Sequence, residues 1–254
     1  MSHAPATLEG WYALHDVRHF DRTAWEQLSS EDRHAITREA VSFFEAAERV
    51  EDAEEGSSAL FRILGHKGDL MILHFRPTLD ELHELGGRLS TLQISRYLRP
   101  ATSFVSVVEL SRHGDTDEDG QEPEEPPELS DWLKRRLMPE IPEMRHVCFY
   151  PMNKRRGEQV NWFTLPADER AELMESHGTT GRKYAGKVLQ VITGAMGFDD
   201  WEWGVTLFAH DPLQFKKLVY EMRFDRVSAL YADFGPFYIG RRMHTDTLAE
   251  TLLR

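Results

Sequence analysis

The organisation of the chain can be worked out from a segment that begins with Cys148-Phe149-Tyr150-Pro151-Met152-Asn153-Lys154. In an extended strand alternate side chains share a face, so Tyr150, Met152 and Lys154 are predicted to lie on the same side. A buried ammonium needs a counter-charge, and a buried phenol needs a hydrogen-bond partner. A phenol, a thioether and a cation on one face therefore indicate the wall of a pocket for an anionic ligand.

The residues around this strand predict a β-α-β-β-α-β order in the second half of the chain. The pattern gives a strand at 147–153, a helix over 166–177 that Gly178 stops, a hairpin of 188–193 with 203–209, a helix from Asp211 to Met222, and a strand near 237–241. This is the order of a ferredoxin-like unit. The second half also carries the unusual polar residues, so we expect the functional site there.

The first half predicts the same order of elements. It has a strand at 8–20, helical spacing over 21–50, a hairpin of 59–64 with 70–75, a helix through 79–89 and a strand at 102–110. We therefore predict an α+β fold with two ferredoxin-like halves per subunit, of the dimeric α+β barrel type. The predicted divisions are an N-terminal domain at 1–113, an acidic linker loop at 114–130 and a C-terminal domain at 131–254 that holds the site.

The linker prediction follows from composition. Residues 115–128 contain eight acidic residues and three prolines without an apolar period, which is typical of a mobile loop. A regulatory acidic segment is the alternative.

Composition limits the class of protein. A net charge of -13 argues against general nucleic-acid binding, because phosphate affinity comes from an excess of Lys and Arg. Cys148 is the one cysteine, so no internal disulfide can form, which favours a reducing compartment. No apolar run is long enough to span a membrane, and the first residues lack the pattern of a signal peptide. We expect a soluble, cytoplasmic protein.

A basic island contrasts with this acidic background. Residues 134–156 contain seven basic and two acidic side chains. Such an island often faces a small anion, although a solvated charged face would have the same composition.

His177 and Gln190 are the further candidates for chemistry. His177 shares a helical face with Arg170, Leu173 and Met174, where a hydrogen-bonded core histidine is the commoner role. No second ligand stands at a zinc-site spacing, whereas a single imidazole suits axial ligation of haem iron. Gln190 lies on an apolar strand face and either points into a cavity or is an ordinary buried amide. The residues 178–182 could form an anion-binding loop, but they lack the pattern of a P-loop.

Three ordered motifs carry a resemblance to a known family. They are Tyr150-Pro151-Met152-Asn153-Lys154-Arg155, His177-Gly178-Thr179-Thr180-Gly181-Arg182-Lys183-Tyr184, and Glu221-Met222-Arg223-Phe224 followed by Ser228 and Phe234-Gly235-Pro236-Phe237. The chain resembles the chlorite-dismutase-like family over most of its length. Within that family it is most similar to the coproheme decarboxylases of the Firmicute type.

The resemblance implies roles for residues of this sequence. His177 would be the axial ligand of haem iron, with Gln190 on the opposite, distal side. Tyr150 would be the redox-active catalytic phenol, and Lys154 would lie beside the propionate that reacts second. The remaining binding residues would line the propionates or the porphyrin edge: Arg136, Met152, Arg182 and Ser228. Glu221 is a candidate partner for the His177 imidazole, with a surface charge at a helix end as the alternative.

The implied activity is the hydrogen-peroxide-dependent oxidative decarboxylation of two propionates of coproheme to vinyls, giving haem b. Coproheme would be both substrate and cofactor, without a separate metal site. The implied assembly is a homopentamer, with possible transient contact with the coproporphyrin ferrochelatase. Chlorite dismutases have a distal arginine where this chain has Gln190. The alternatives are a haem or coproheme carrier or regulator, and a peroxidase or chlorite dismutase.

Overall fold

A computed structural model describes residues 4–111 and 130–253. Nearly all of the predicted acidic linker, 114–130, lies outside these ranges. The strands are β1 (Thr7–Phe20), β2 (Ser57–Ile63), β3 (Leu70–Arg76), β4 (Leu98–Ser111), β5 (His146–Lys154), β6 (Leu189–Gly194), β7 (Trp203–Ala209), β8 (Ala232–Phe234) and β9 (Tyr238–Met243).

Helices cover the sheet on its outer side. They are α1 (Arg22–Glu26), α2 (Ser30–Glu48), α3 (Leu79–Thr91), α4 (Asp131–Leu137), α5 (Ala167–Arg182), α6 (Leu213–Met222), α7 (Arg226–Tyr231) and α8 (Thr245–Leu253). Two short 3₁₀ turns lie at Gln93–Arg96 and Trp162–Thr164.

The strands of the two halves join into one closed, antiparallel sheet. The order is β7-β6-β4-β1-β3-β2-β9-β5-β8, and a further pairing of β7 with β5 closes the ring. The first half contributes the order β4-β1-β3-β2 and the second half β6-β7-β5-β9, which is the same ferredoxin-like order. The β4–β6 and β2–β9 pairings join the halves edge to edge. The predicted α+β fold is confirmed.

The helix predicted to stop at Gly178 is the clearest error in the element boundaries. Helix α5 continues to Arg182. A glycine ends a helix when it takes a positive φ, and Gly178 is not among the described glycines with a positive φ. The hydroxyl of Thr179 donates to the carbonyl of Glu175 at 3.0 Å. The residues 178–182 are therefore helical, so they do not form the anion-binding loop that their sequence left possible.

The short elements α4, α7, β8 and α8 were not predicted. Helix α8 depends on contacts with the first half of the chain, where Leu248 and Leu252 join the core beneath α2. The Trp25 indole donates a hydrogen bond of 2.7 Å to the carbonyl of Leu252. Nine residues form little stable helix alone, so tertiary packing decides this element.

The two halves differ in what fills the space between sheet and helices. In the first half, α2 and α3 bury side chains such as Phe44, Leu85 and Leu89 against the outer face of β2 and β3. In the second half, smaller apolar clusters surround a cavity of about 780 Å³. The space between sheet and helices is therefore packed with side chains in the first half and contains a cavity in the second half.

We predict that Gly10→Ala destabilises the fold at the contact between β1 and α4. A Cβ at Gly10 would lie 1.9 Å from the carbonyl oxygen of Leu137, so backbone must shift, at a cost of about 1–3 kcal/mol. Urea unfolding measures this change. The matched control is Gly87→Ala in α3, where a Cβ meets nothing within 4 Å and should stabilise the protein by about 0.5–1 kcal/mol. Equal stability of Gly10→Ala and the wild type would contradict the close contact.

Candidate functional site

The candidate site is the cavity between the outer face of the second-half strands and the helices α5 to α7. Its volume of about 780 Å³ lies within the usual range for small-molecule sites, roughly 300–1,000 Å³. Its walls are mainly apolar, with Met174, Ile192, Val205, Leu218 and Val219 among the lining side chains.

Strand β5 directs its alternate side chains into this cavity. Its pairing with β7 places Tyr150 opposite Val205 and Met152 opposite Trp203, on the same face. Tyr150, Met152 and Lys154 all line the cavity, as their spacing predicts. The intervening Phe149 points into the core inside the sheet.

Tyr150 is held as a neutral phenol. Its ring stacks on Phe237 with centroids 4.4 Å apart and an interplanar angle of 23°, and its side chain is 8% exposed. Burial raises its pKa well above the ordinary value, and the nearby Arg223 opposes this shift. The phenol therefore keeps its proton at neutral pH.

Lys154 lies over an aromatic ring at the end of β5. Its Nζ is 4.3 Å from the centroid of Trp162, so the ring face stabilises the cation where water is scarce. Burial lowers the pKa of Lys154 to about 8, and the charge of Asp225 opposes this shift. The side chain is a cation at neutral pH, but it can give up its proton more readily than an exposed lysine.

His177 presents a neutral imidazole to the cavity. Its Nδ1 lies 2.7 Å from Oδ2 of Asp225. Because a carboxylate only accepts, Nδ1 carries the proton, and the lone pair is on Nε2. Burial lowers the pKa of His177, while the hydrogen bond and charge of Asp225 raise it. A neutral imidazole with a carboxylate behind it is the usual arrangement of a metal-binding histidine.

Glu221 is not the partner of His177. Its carboxylate pairs with Lys183 and accepts a hydrogen bond of 3.0 Å from the hydroxyl of Tyr184. Of the two roles considered for Glu221, the charge at the surface end of a helix is correct, and Asp225 is the partner of the imidazole. Asp225 also caps α7 by accepting from the backbone N–H of Ser228 at 3.2 Å.

The other predicted site residues divide into two groups. Arg136, Gln190 and Ser228 line the cavity, on α4, β6 and α7 respectively. Arg182 does not. It is exposed near the end of α5, and its guanidinium donates to the hydroxyl of Thr179 at 2.7 Å.

The basic island contributes little of its charge to the cavity. Arg155 pairs with Asp233 at 2.9 Å and Arg156 pairs with Glu202 at 3.2 Å. For these two arginines the alternative of a charged, ion-paired surface is correct. Only Arg136 and Lys154 of the island are among the described residues that line the cavity.

The cavity nevertheless carries positive charge. Its charged lining residues, within 4–111 and 130–253, are Arg136, Lys154 and Arg170 against Glu109. An excess of cations inside a chain of net charge -13 favours an anionic ligand. Sequence reasoning did not assign Arg170, Trp162 or Asp225 to the site. The spacing of seven residues between Arg170 and His177 was the available signal for Arg170, because it places both on one helical face.

The donor set suits one kind of metal group. Within the described ranges, no group of three His, Cys, Asp or Glu side chains is arranged to hold a metal ion. His177 offers one nitrogen ligand in a cavity whose lining is mainly apolar and also contains cations. This set fits an iron porphyrin with carboxylate substituents, because the macrocycle supplies the other four ligands.

Comparison with known proteins places the chain in a family. The family model described as chlorite dismutase matches residues 33–243. The chain belongs to this chlorite dismutase family.

Solved structures support the same grouping. A protein from Thermus thermophilus, described as a novel heme-binding protein, is 49% identical, with a TM-score of 0.89, over 98% of this chain and 99% of the other. A mutant chlorite dismutase from Candidatus Nitrospira defluvii, in complex with cyanide, is 17% identical, with a TM-score of 0.75, over 97% of this chain and 96% of the other. This second similarity shows the shared fold.

None of the helices in the described part of the chain combines the length and the apolar character needed to cross a bilayer.

We predict that Asp225→Asn lowers the pKa of His177. The substitution removes the charge that raises this pKa but keeps an oxygen that can accept from Nδ1 and a good capping residue for α7. An NMR titration of the imidazole measures the shift. Asp225→Ala serves as the comparison, because it also removes the cap and should cost about 1 kcal/mol of folding stability. An unchanged pKa in both variants would contradict the His177–Asp225 pair.

Proposed function

We propose that this protein catalyses the hydrogen-peroxide-dependent oxidative decarboxylation of coproheme to haem b. The observation that carries the proposal is the combination in the lining of one cavity of an oxidisable phenol, Tyr150, a neutral imidazole, His177, and several cations. A simple carrier needs the imidazole and the cations but not the phenol. The heme-binding relative from Thermus thermophilus, 49% identical, supports the choice of ligand.

The charges fit the substrate. Coproheme is an iron porphyrin with four propionates, and charge-assisted hydrogen bonds bind carboxylates well. Arg136 lies on α4, which packs against β1 and β4, while Lys154 lies at the end of β5. Strands β4 and β5 are separated by β6 and β7 in the sheet. Three strand spacings amount to about 14 Å along the sheet, so the two cations would bind different carboxylates of one porphyrin.

The chemistry requires an oxidant and one proton for each propionate. A propionate side chain, hydrogen peroxide and a proton become a vinyl group, carbon dioxide and two water molecules. The propionate loses two electrons as its carbon–carbon bond to the carboxylate breaks, and peroxide accepts them. When bound, the iron porphyrin supplies the redox chemistry that reduces peroxide.

Tyr150 links the oxidant to the substrate in this proposal. Its phenol gives up an electron and a proton, and the resulting tyrosyl radical takes a hydrogen atom from the β-carbon of the propionate. The buried position keeps the phenol protonated between turnovers, and stacking on Phe237 fixes the ring. Loss of a second electron and of carbon dioxide then leaves the vinyl group. The reaction runs twice.

The remaining residues bind and orient. His177 would hold the iron through Nε2, with Asp225 fixing the imidazole. Lys154 would neutralise the carboxylate of the propionate that reacts second and can supply a proton, because its pKa is about 8. Gln190 would face the distal side, where an amide cannot provide the positive charge of the arginine of chlorite dismutases. Arg136, Met152 and Ser228 would contact the porphyrin edge.

The family resemblance alone supports three further expectations. They are a homopentameric assembly, a cytoplasmic location, and transient contact with the coproporphyrin ferrochelatase.

We predict that the protein loaded with coproheme and titrated with peroxide loses two carbon dioxide units in steps. Product masses after chromatography should show a three-propionate intermediate and then haem b. Tyr150→Phe should bind coproheme but form no haem b, because it keeps the ring and loses the oxidisable hydroxyl. Binding without any mass change in the wild type would favour a carrier. Normal conversion by Tyr150→Phe would remove the tyrosyl radical from the mechanism.

We predict that the affinity for coproheme falls as the pH rises above about 8. Burial lowers the pKa of Lys154 from 10.5 to about 8, so the free protein loses this cation in that range, and carboxylate binding must restore its proton. Absorbance titrations at several pH values measure the dependence. Lys154→Met should bind more weakly near neutrality, lack this fall and accumulate the three-propionate product. An identical pH profile in both proteins would assign the dependence to another group.

A further inference from the structure

A second cavity lies on the inner face of the sheet, on the other side of β5 from the candidate site. Its volume is about 290 Å³, which is close to the lower limit for small-molecule sites, roughly 300 Å³. Tyr150 and Met152 of β5 line the larger cavity, whereas the alternate residues Phe149 and Pro151 line this one. The proposed function gives the second cavity no role.

Aromatic rings form much of the wall of the second cavity. The His15 imidazole stacks on Phe149 with ring centroids 4.0 Å apart, and Phe149 stacks on Tyr238 with centroids 6.1 Å apart. The ring of Phe104 lies 5.4 Å from that of Phe149, and Trp201 also lines the cavity. The faces of phenyl, phenol and indole rings carry partial negative charge and attract cations.

The charged side chains of the second cavity are acidic. Within 4–111 and 130–253, its charged lining residues are Asp199 and Asp200, in the loop between β6 and β7. The larger cavity has three cationic lining residues and one acidic one in the same ranges. The two cavities, on opposite faces of one sheet, therefore favour ligands of opposite charge.

His15 provides an independent sign of a ligand in the second cavity, which it lines. Its side chain is fully buried, and its Nε2 lies 2.8 Å from Oγ1 of Thr206. Its Nδ1 has no hydrogen-bond partner in the described part of the chain. An unpartnered buried nitrogen is unfavourable unless water or a ligand supplies its hydrogen bond. Burial lowers the pKa of His15 to about 3, so the imidazole is neutral at physiological pH and does not repel a cation.

We propose that the second cavity binds a small organic cation of the alkylammonium class. Proteins recognise alkylammonium groups with the faces of aromatic rings, and carboxylates add the opposite charge. Here the rings of Phe149, Trp201 and Tyr238 would contact the alkyl groups, and Asp199 and Asp200 would supply the negative charge. The inference is independent of the proposed function, because neither a porphyrin nor peroxide enters it.

The test uses tetramethylammonium as the probe and the full-length protein. Saturation-transfer NMR at constant ionic strength gives the dissociation constant from a titration of the methyl signal of the probe. The matched ligand is tert-butanol, which is similar in size but neutral. The wild type should bind tetramethylammonium at least about fivefold more tightly than tert-butanol, because only the cation is attracted by the ring faces and the carboxylates.

Variants locate the binding site of the probe. Trp201→Leu, and Asp199→Asn combined with Asp200→Asn, should each weaken tetramethylammonium binding about five- to tenfold. The matched control is Asp80→Asn combined with Glu84→Gln, which should bind like the wild type. It removes two exposed carboxylates of α3 that line neither cavity.

The comparison of the two charge variants decides between a site and a general effect of charge. Equal binding of the two probes by the wild type, or unchanged binding after Asp199→Asn with Asp200→Asn, would overturn the inference. Equal weakening in the α3 control would also overturn it, because the net charge of the chain would then account for the affinity. If Trp201→Leu does not fold, a loss confined to the Asp199 and Asp200 variant supports the site.

Discussion

Strand β5 pairs with other strands along both of its edges, and these pairings close the sheet and orient the side chains of the site. One edge of β5 pairs with β7, and the other pairs with β9 and then β8. This arrangement closes the sheet and gives β5 two buried faces of different character. Phe149 packs inside the sheet, where His15 stacks on it at 4.0 Å, while Tyr150 faces the cavity. A shift of one residue would exchange these side chains, so core packing fixes the register of the site.

Asp225 stabilises the start of α7 as its N-cap and also raises the pKa of His177. It accepts from the His177 imidazole and from the first turn of α7, which carries Ser228 at the cavity wall. The carboxylate is 4% exposed, so both hydrogen bonds are shielded from water and are stronger than at the surface. One side chain thus orients the His177 imidazole on α5 and caps α7, which forms another wall of the cavity.

The distribution of charge explains how an acidic protein can contain a positively charged cavity. Several cations near the cavity are neutralised by neighbours on the surface, as Arg155 is by Asp233 and Lys183 by Glu221. Of those that line the cavity, Lys154 and Arg170 are partly or fully buried, and an opposite charge is attracted more strongly there than in water. The net charge of the chain therefore argues against general nucleic-acid binding, but it does not predict the sign of the electrostatic potential inside the cavity.

The periodicity of apolar residues in the sequence was enough to predict both hairpins, the main helices and the repeated ferredoxin-like order. The period of two in a strand also predicted the shared face of Tyr150, Met152 and Lys154. These follow from local geometry, because the period of a strand or helix fixes which side chains face together. Tertiary structure alone decided that Asp225 rather than Glu221 contacts His177, that Trp162 lies under Lys154, and that Arg182 is outside the cavity. It also decided that the second half contains a cavity where the first half has a packed apolar core. These outcomes depend on contacts between residues distant in the chain, whose positions are set by sheet closure and helix packing.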